Sequence, residues 1–229
     1  MKAKTTVFIL CMCMFLSFSL ASKLVERPSL QDLPRLYAEH KYSVVRLLAS
    51  ESFTTDDGIS SIKSHGATGF VINKEKGYIY SAGHLAKLNR IIILVNESKS
   101  YIATVVKTDL GQECAILQVN PLALKDTKEV KFSADVRVGE AIFIISNPHS
   151  MLKTISSGII SKEVTSLNPS FIMGVYPTDA IIEPGSSGGP VFNLNGEVIG
   201  SAVGYMGGFG LVLPAKTIVN FIKSLNTIN

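Results

Sequence analysis

Cysteine is scarce in this chain, three in 229 residues, and two of the three, Cys11 and Cys13, fall inside an N-terminal apolar stretch. Once that stretch is removed, Cys114 stands alone, which excludes an internal disulfide and leaves the fold to be held by its core. Cys114 lies in the apolar run Cys114-Ala115-Ile116-Leu117 and reads as a small buried residue. A dominant charge is lacking too: 22 Lys and Arg against 18 Asp and Glu give +4, and Lys2 and Lys4 supply half of it. Nothing in that balance asks for nucleic acid. The four histidines, His40, His65, His84 and His149, show no ligand spacing with one another or with Cys114, so no metal or other cofactor is expected.

A membrane-length apolar run is also missing. The stretch from Val7 to Leu20 is too short for a comfortable span, follows Lys2 and Lys4, and ends in Ser19-Leu20-Ala21. Small residues three and one before a cut after Ala21 mark residues 1–21 as a secretory signal peptide. The expected product is exported, periplasmic or extracellular, with no stable membrane insertion after cleavage; an uncleaved anchor is the alternative.

What the chain does have is 46% hydrophobic residues, enough for a sizeable core. A short helix is expected from Leu30 to Lys41, capped by Ser29, with Leu33, Leu36 and Tyr37 on one face. Strands then recur at short intervals, rich in Val, Ile and Tyr: 43–48, 67–73, 77–82, 91–95, 101–106 and 114–119. The polar stretch 50–66 reads as a surface loop, and Pro121 to Asp126 as a connector. A second run of strands follows at 141–145, 152–161, 171–176, 178–182, 190–192, 197–203 and 209–213, with Asn195-Gly196 as a hairpin turn. Ile218, Phe221, Ile222 and Leu225 recur at helical spacing in a closing helix, 215–225. The fold class is therefore all-β, two antiparallel barrels with a short N-terminal and a C-terminal helix. The barrels are expected at about 42–122 and 128–214 of a single domain covering 22–229.

The chemistry gathers in Glu183-Pro184-Gly185-Ser186-Ser187-Gly188-Gly189-Pro190. A serine between glycines presents its hydroxyl on a tight turn whose own N–H groups can face a substrate oxygen, which makes Ser187 the candidate nucleophile. It needs a base, and His84, directly after a strand in Tyr80-Ser81-Ala82-Gly83-His84-Leu85, is the best placed. His65 and His149 sit beside Gly66 and Pro148 and read as solvated. Gly185 to Gly189 also satisfies Gly-x-Ser-x-Gly, the elbow of α/β-hydrolases. Those enzymes carry their histidine after the serine, and none follows Ser187 here.

With these residues in view, the chain resembles the trypsin-like serine peptidases of the HtrA/Deg type from about Ala38 to Ile222. The likeness rests on Gly66 to Ile72, Ser81 to Leu85, Val105 to Val119, Ser146-Asn147-Pro148, Thr154 to Ile160, Thr178 to Pro190, Gly196 to Gly200 and Gly208 to Pro214. It implies two six-stranded barrels, Ser187 as nucleophile, His84 as base, and the N–H groups of Gly185 and Ser187 as oxyanion hole. The third catalytic position falls two residues before Ala115 and holds Glu113 where the family has aspartate; Asp109 matches a different, non-catalytic aspartate. Gly83 replaces the usual alanine, and Ser186 the usual asparagine.

The position six before the nucleophile is Ile181, which implies an apolar pocket and cleavage after small or aliphatic residues. Ser201, Ala202 and Val203 are expected to pair with substrate as an edge strand, with Met206 to Phe209 as a glycine-rich rim. The family commonly carries a PDZ domain and forms trimers; no PDZ is read here, and a homo-oligomer stays open as a partner state. Two functions fit these residues: an exported serine endopeptidase acting on unfolded or extended polypeptides, or a catalytically impaired relative using the groove to bind peptides.

Overall fold

The computed structural model describes residues 29–54, 57, 60–88, 90–96, 99–166 and 174–225. The leader and the first part of the strand expected at 171–176 lie outside them. Ser29 opens the described chain with a capping box: its Oγ accepts from Gln31 N, and its own N–H donates to Asp32 at 2.8 Å. Helix α1 (Leu33–His40) then begins with Pro34 in its first turn, where a missing N–H costs nothing, and buries Leu36.

The first barrel is closed. Its strands are β1 (Val44–Thr54), β2 (Ser60–Asn73), β3 (Tyr78–Ser81), β4 (Arg90–Asn96), β5 (Lys99–Asp109) and β6 (Cys114–Gln118), hydrogen-bonded in the order β1-β2-β3-β6-β5-β4. Alternate side chains divide between two cores. Ile79 and Leu117 turn into the barrel with Val45, Leu47 and Ile93. Tyr80, Cys114 and Ile116 turn outward, with Phe70, onto Phe143, Phe192 and Leu213 of the second half. β6 is therefore covered on both faces, which is why it reads as an unbroken apolar run.

The second half is one six-stranded sheet. It contains β7 (Ala141–Ser146), β8 (Thr154–Ile159), β9 (Tyr176–Thr178), β10 (Pro190–Asn193), β11 (Val198–Met206) and β12 (Phe209–Pro214), in the order β8-β7-β10-β11-β12-β9. Its outer strands meet through an Ile160–Thr178 bridge and a 2.8 Å bond from Ser161 N to Pro177 O, so the sheet curls into a barrel closed by single contacts. Helix α2 (Ala215–Lys223) lays Ile218 and Phe221 into the core between the halves. Phe143 and Phe192 stack there at 4.9 Å.

Three expectations change. The stretch 50–66 is largely strand, not loop: β1 and β2 stay paired out to Thr54–Ser60, with Glu51 opposite Lys63, and His65 lies in β2. A ribbon that projects beyond the core needs backbone pairing but no apolar face, so its polarity hid it. The strand expected at 178–182 stops at Thr178. Beyond it side chains replace the ladder, Asp179 accepting from Ile159 N at 2.7 Å and Thr178 Oγ1 from Ala180 N at 3.1 Å. The strand expected at 152–161 begins only at Thr154, after Lys153 at φ 52°.

Candidate active site

β3 pairs with β6, Ser81 opposite Ala115. Past the end of β3, Gly83–Lys87 form a 3-10 turn that carries His84. Just before β6, the turn after β5 carries Glu113, and Asp109 Oδ1 holds that turn by accepting from Gln112 N at 3.0 Å. The ladder thus delivers both side chains to one rim of the barrel. Glu113 Oε2 lies 2.9 Å from His84 Nδ1 and 3.2 Å from the His84 backbone N–H. An ionised carboxylate only accepts, so Nδ1 carries a proton, and in the neutral ring the lone pair is then on Nε2.

Glu113 reaches that position from a left-handed backbone, φ 54°, a conformation that costs a non-glycine residue about 1–2 kcal/mol. Gly83 lies against this turn: a Cβ on it would come within 2.9 Å of Cys114 N and 3.0 Å of Glu113 C. Burial pushes the Glu113 carboxyl up. The hydrogen bond and charge of the His84 ring, the His84 N–H and the charge of Lys87 outweigh it and hold the carboxyl below its ordinary value. The Cys114 thiol next door is no rival nucleophile, since burial pushes it up to about 11.

The serine turn sits on the other barrel. Gly185 (φ 100°) and Gly188 (φ 83°) take conformations open to glycine. A Cβ on Gly188 would collide with Thr68 O, Ser81 Oγ and Ala82 N, so Ser187 is followed by backbone packed onto the residues that precede His84. The amides of Ser186, Gly188 and Gly189 are committed, to Glu183 O, Ala202 O and Ser186 O at 2.7–2.8 Å. Among the described residues no acceptor takes the N–H of Gly185 or Ser187. Ser186, 1% exposed, anchors the turn through Ser146 Oγ at 3.1 Å and Glu183 N at 3.3 Å.

The remaining candidates divide. Ile181 is 67% exposed and gives its carbonyl to Ser156 Oγ at 3.0 Å. Its neighbours Ala180 and Ile182 are the buried side chains of the segment, and Ile182 fills the space beside Gly210. Ser201 and Ala202 are fully buried, and Ala202 spends its N–H and C=O on Gly189 and Gly188. Val203 is the first of the three whose position lies past that pairing, and beside it a Cβ on Gly204 would meet nothing within 4 Å.

Composition gave no sign of the polar residues beneath the serine turn. The side chain of His149 is exposed, as expected, but its backbone at φ 47° donates its N–H to Pro184 O at 2.8 Å, and its ring lies 3.6 Å from Glu183. Thr68 and Asn147 are buried between the barrels; Thr68 bonds to the same turn, and Asn147 bonds to Thr68. The only signal for them was a polar residue inside an apolar strand or at its end.

Comparison with known proteins agrees with this geometry. A trypsin-like peptidase domain model matches residues 67–200. Protease Do-like 1, chloroplastic, of Arabidopsis thaliana is 30% identical over 249 residues, covering 95% of this chain and 56% of that protein. A probable periplasmic serine endoprotease DegP-like of Halomonas elongata is 34% identical over 148 residues, covering 61% and 31%. The chain spans about half the length of the first of these and less of the second. Among solved structures, the HtrA-type protease AlgW with a decapeptide superposes with TM-score 0.74 at 20% identity, over 85% of this chain and 67% of that one.

Proposed function

The chain belongs to the trypsin-like peptidase family, and on that premise we propose that it is an exported serine endopeptidase that cleaves unfolded or extended polypeptides. Ser187 attacks the scissile carbonyl, and His84 Nε2 takes its proton. Glu113 holds the ring and stabilises the imidazolium that results. The amides of Gly185 and Ser187 receive the charge that forms on the carbonyl oxygen, each such donor being worth about 3 kcal/mol of barrier. His84 then returns the proton to the leaving amine, and the acyl-enzyme is opened by water with His84 again as base.

The observation that carries this reading is the 2.9 Å contact between Glu113 and His84 Nδ1, which a longer carboxylate makes from a left-handed turn. Export rests on the leader residues 1–21, with 22–229 as the working domain. DegP-like relatives are named periplasmic, and no helix among the described residues is long and apolar enough to cross a membrane.

A fluorophosphonate probe tests the reading directly. Wild type is expected to be labelled at Ser187 and Ser187→Ala to stay unlabelled. Absence of Ser187-dependent label across a range of pH, with unfolded peptide present, would sink the peptidase and leave a peptide-binding groove.

Substrate preference follows from the buried side chain rather than the exposed one. Ile182, 4% exposed, narrows the space beside Gly210, which favours small or medium aliphatic residues before the scissile bond; the pairing edge for substrate runs on from Val203. Ile182→Val removes one methylene at a stability cost of about 0.5–1.5 kcal/mol. It is expected to raise the kcat/KM ratio for leucine over alanine at that position about tenfold. A ratio unchanged in a peptide-library assay would take Ile182 out of the pocket.

A further inference from the structure

Thr68 is fully buried in β2, where the two barrels meet, and its side chain has three polar neighbours. Gly185 O lies at 2.8 Å, Asn147 N at 2.9 Å and Asn147 Nδ2 at 3.1 Å from Oγ1. A hydroxyl has one proton and two lone pairs. Both Asn147 groups are donors. The amide orientation is set because Oδ1 accepts from Lys153 N at 3.0 Å and Nδ2 donates to Val45 O at 3.2 Å. The Thr68 proton is thereby directed onto Gly185 O, and every hydrogen-bonding capacity of the hydroxyl is used. The same residue donates its backbone N–H to Ser187 O at 3.0 Å, while Ser81 Oγ fixes the Thr68 carbonyl at 2.7 Å.

These bonds complete a run of five engaged carbonyls. Glu183 O takes Ser186 N, Pro184 O takes His149 N, Gly185 O takes Thr68 Oγ1, Ser186 O takes Gly189 N and Ser187 O takes Thr68 N. In a trans peptide the N–H points opposite to the carbonyl of the preceding residue. Securing Pro184 O on one side therefore aims Gly185 N–H to the other, and securing Ser186 O does the same for Ser187 N–H. Between these two planes stands the Gly185–Ser186 peptide, and the only side chain on its carbonyl among the described residues is Thr68. Asn147, which bonds Thr68, is two residues from the His149 that holds Pro184 O.

We propose that Thr68 is the positioning residue of the oxyanion-binding turn: from the first barrel it holds the carbonyls on both sides of Ser186, so that the Gly185 and Ser187 amides converge on one point. This deepens the peptidase reading of Ser187 and rests on it. Thr68 does not touch substrate, so its contribution falls on kcat and not on KM.

Thr68→Val keeps the shape and removes the donor. In an active enzyme kcat is expected to fall about a hundredfold, as for a misplacement on the order of 1 Å, with KM changed less than about threefold, and Thr68→Ser should recover most of the loss. Amide hydrogen exchange at Ser186 and His149 is expected to quicken about tenfold in Thr68→Val, the equivalent of one lost hydrogen bond, and to stay at the wild-type rate in Thr68→Ser. A merely structural threonine would lower the melting temperature without this local pattern. Exchange at those two amides unchanged in folded Thr68→Val overturns the proposal, as does quickened exchange with kcat intact. If wild type shows no Ser187-dependent turnover, the peptidase reading fails while the exchange measurement still decides the role of Thr68. Should Thr68→Val not fold, Thr68→Ala removes the hydroxyl without placing a methyl against Gly185 O and carries the same comparison.

Discussion

Glu113→Gln is expected to lower kcat about ten-thousand-fold at neutral pH, the scale seen when the carboxylate of such a triad becomes an amide. The substitution preserves shape, so the loss is one of protonation. A carboxylate 2.9 Å from His84 Nδ1 accepts only, and so keeps the ring proton on Nδ1. An amide can turn its NH2 toward Nδ1, which moves the proton to Nε2 and leaves Ser187 without a base. Steady-state kinetics on an unfolded peptide measure this, and activity within tenfold of wild type would remove Glu113 from its role.

A pH signature accompanies the substitution. Against the effect of burial, the contacts with His84 and the Lys87 charge hold the folded carboxyl below its ordinary value. A lowered carboxyl contributes stability that is fully present above the ordinary glutamate range and is lost as pH falls through the folded value. The stability gap between wild type and Glu113→Gln should accordingly be widest at neutral pH and narrow on acidification below the ordinary range. Denaturant melts at several pH values report it; a gap independent of pH would count against the lowered carboxyl.

The second large effect is expected from Gly83→Ala, about a hundredfold in kcat/KM. The added Cβ would stand 2.9–3.0 Å from Cys114 N, Asp109 O and Glu113 C, all of them backbone, so the turn must move and take the carboxylate with it. Glu113→Asp alone should also lose activity, because a shorter side chain on the same left-handed turn falls about one methylene short of His84. The two departures from the family pattern lie against each other, however. Aspartate has less need of a turn at φ 54°, and any movement of that turn shifts the Cys114 N and Glu113 C that a Cβ at 83 would meet. The double variant Gly83→Ala/Glu113→Asp is therefore expected to exceed the product of the single effects by at least about tenfold, a coupling of about 1.4 kcal/mol. Strict additivity across the cycle would show the two positions to be independent.

How far the sequence reveals this site depends on how local each part is. Ser187 and His84 stand in short segments whose glycines and strand ends announce a turn, and short runs rich in Val, Ile and Tyr between polar turn residues announce sheet. Glu113 was legible as a departure, but its reach was not, since a methylene is absorbed only by a backbone angle that side-chain identity does not encode. Ile181 was placed by counting from Ser187. The ladder ends at Thr178, but burial still alternates through Ala180 to Ile182, which leaves Ile181 on the outer side and gives Ile182 the interior place. The Thr68 hub joins residues 117 and 79 positions apart, and no local pattern carries such a bond. Nor does polarity distinguish a projecting ribbon such as 50–66 from a loop.

Chain order gives the division between barrels a meaning in time. The first barrel is complete with β6 at Gln118, and it holds His84, Glu113 and Thr68; Gly185 and Ser187 belong to the second. A nascent chain with only its leading half folded carries a base and its orienting group but no nucleophile. On the proposed assignment, the capacity to hydrolyse arrives only when the trailing half docks.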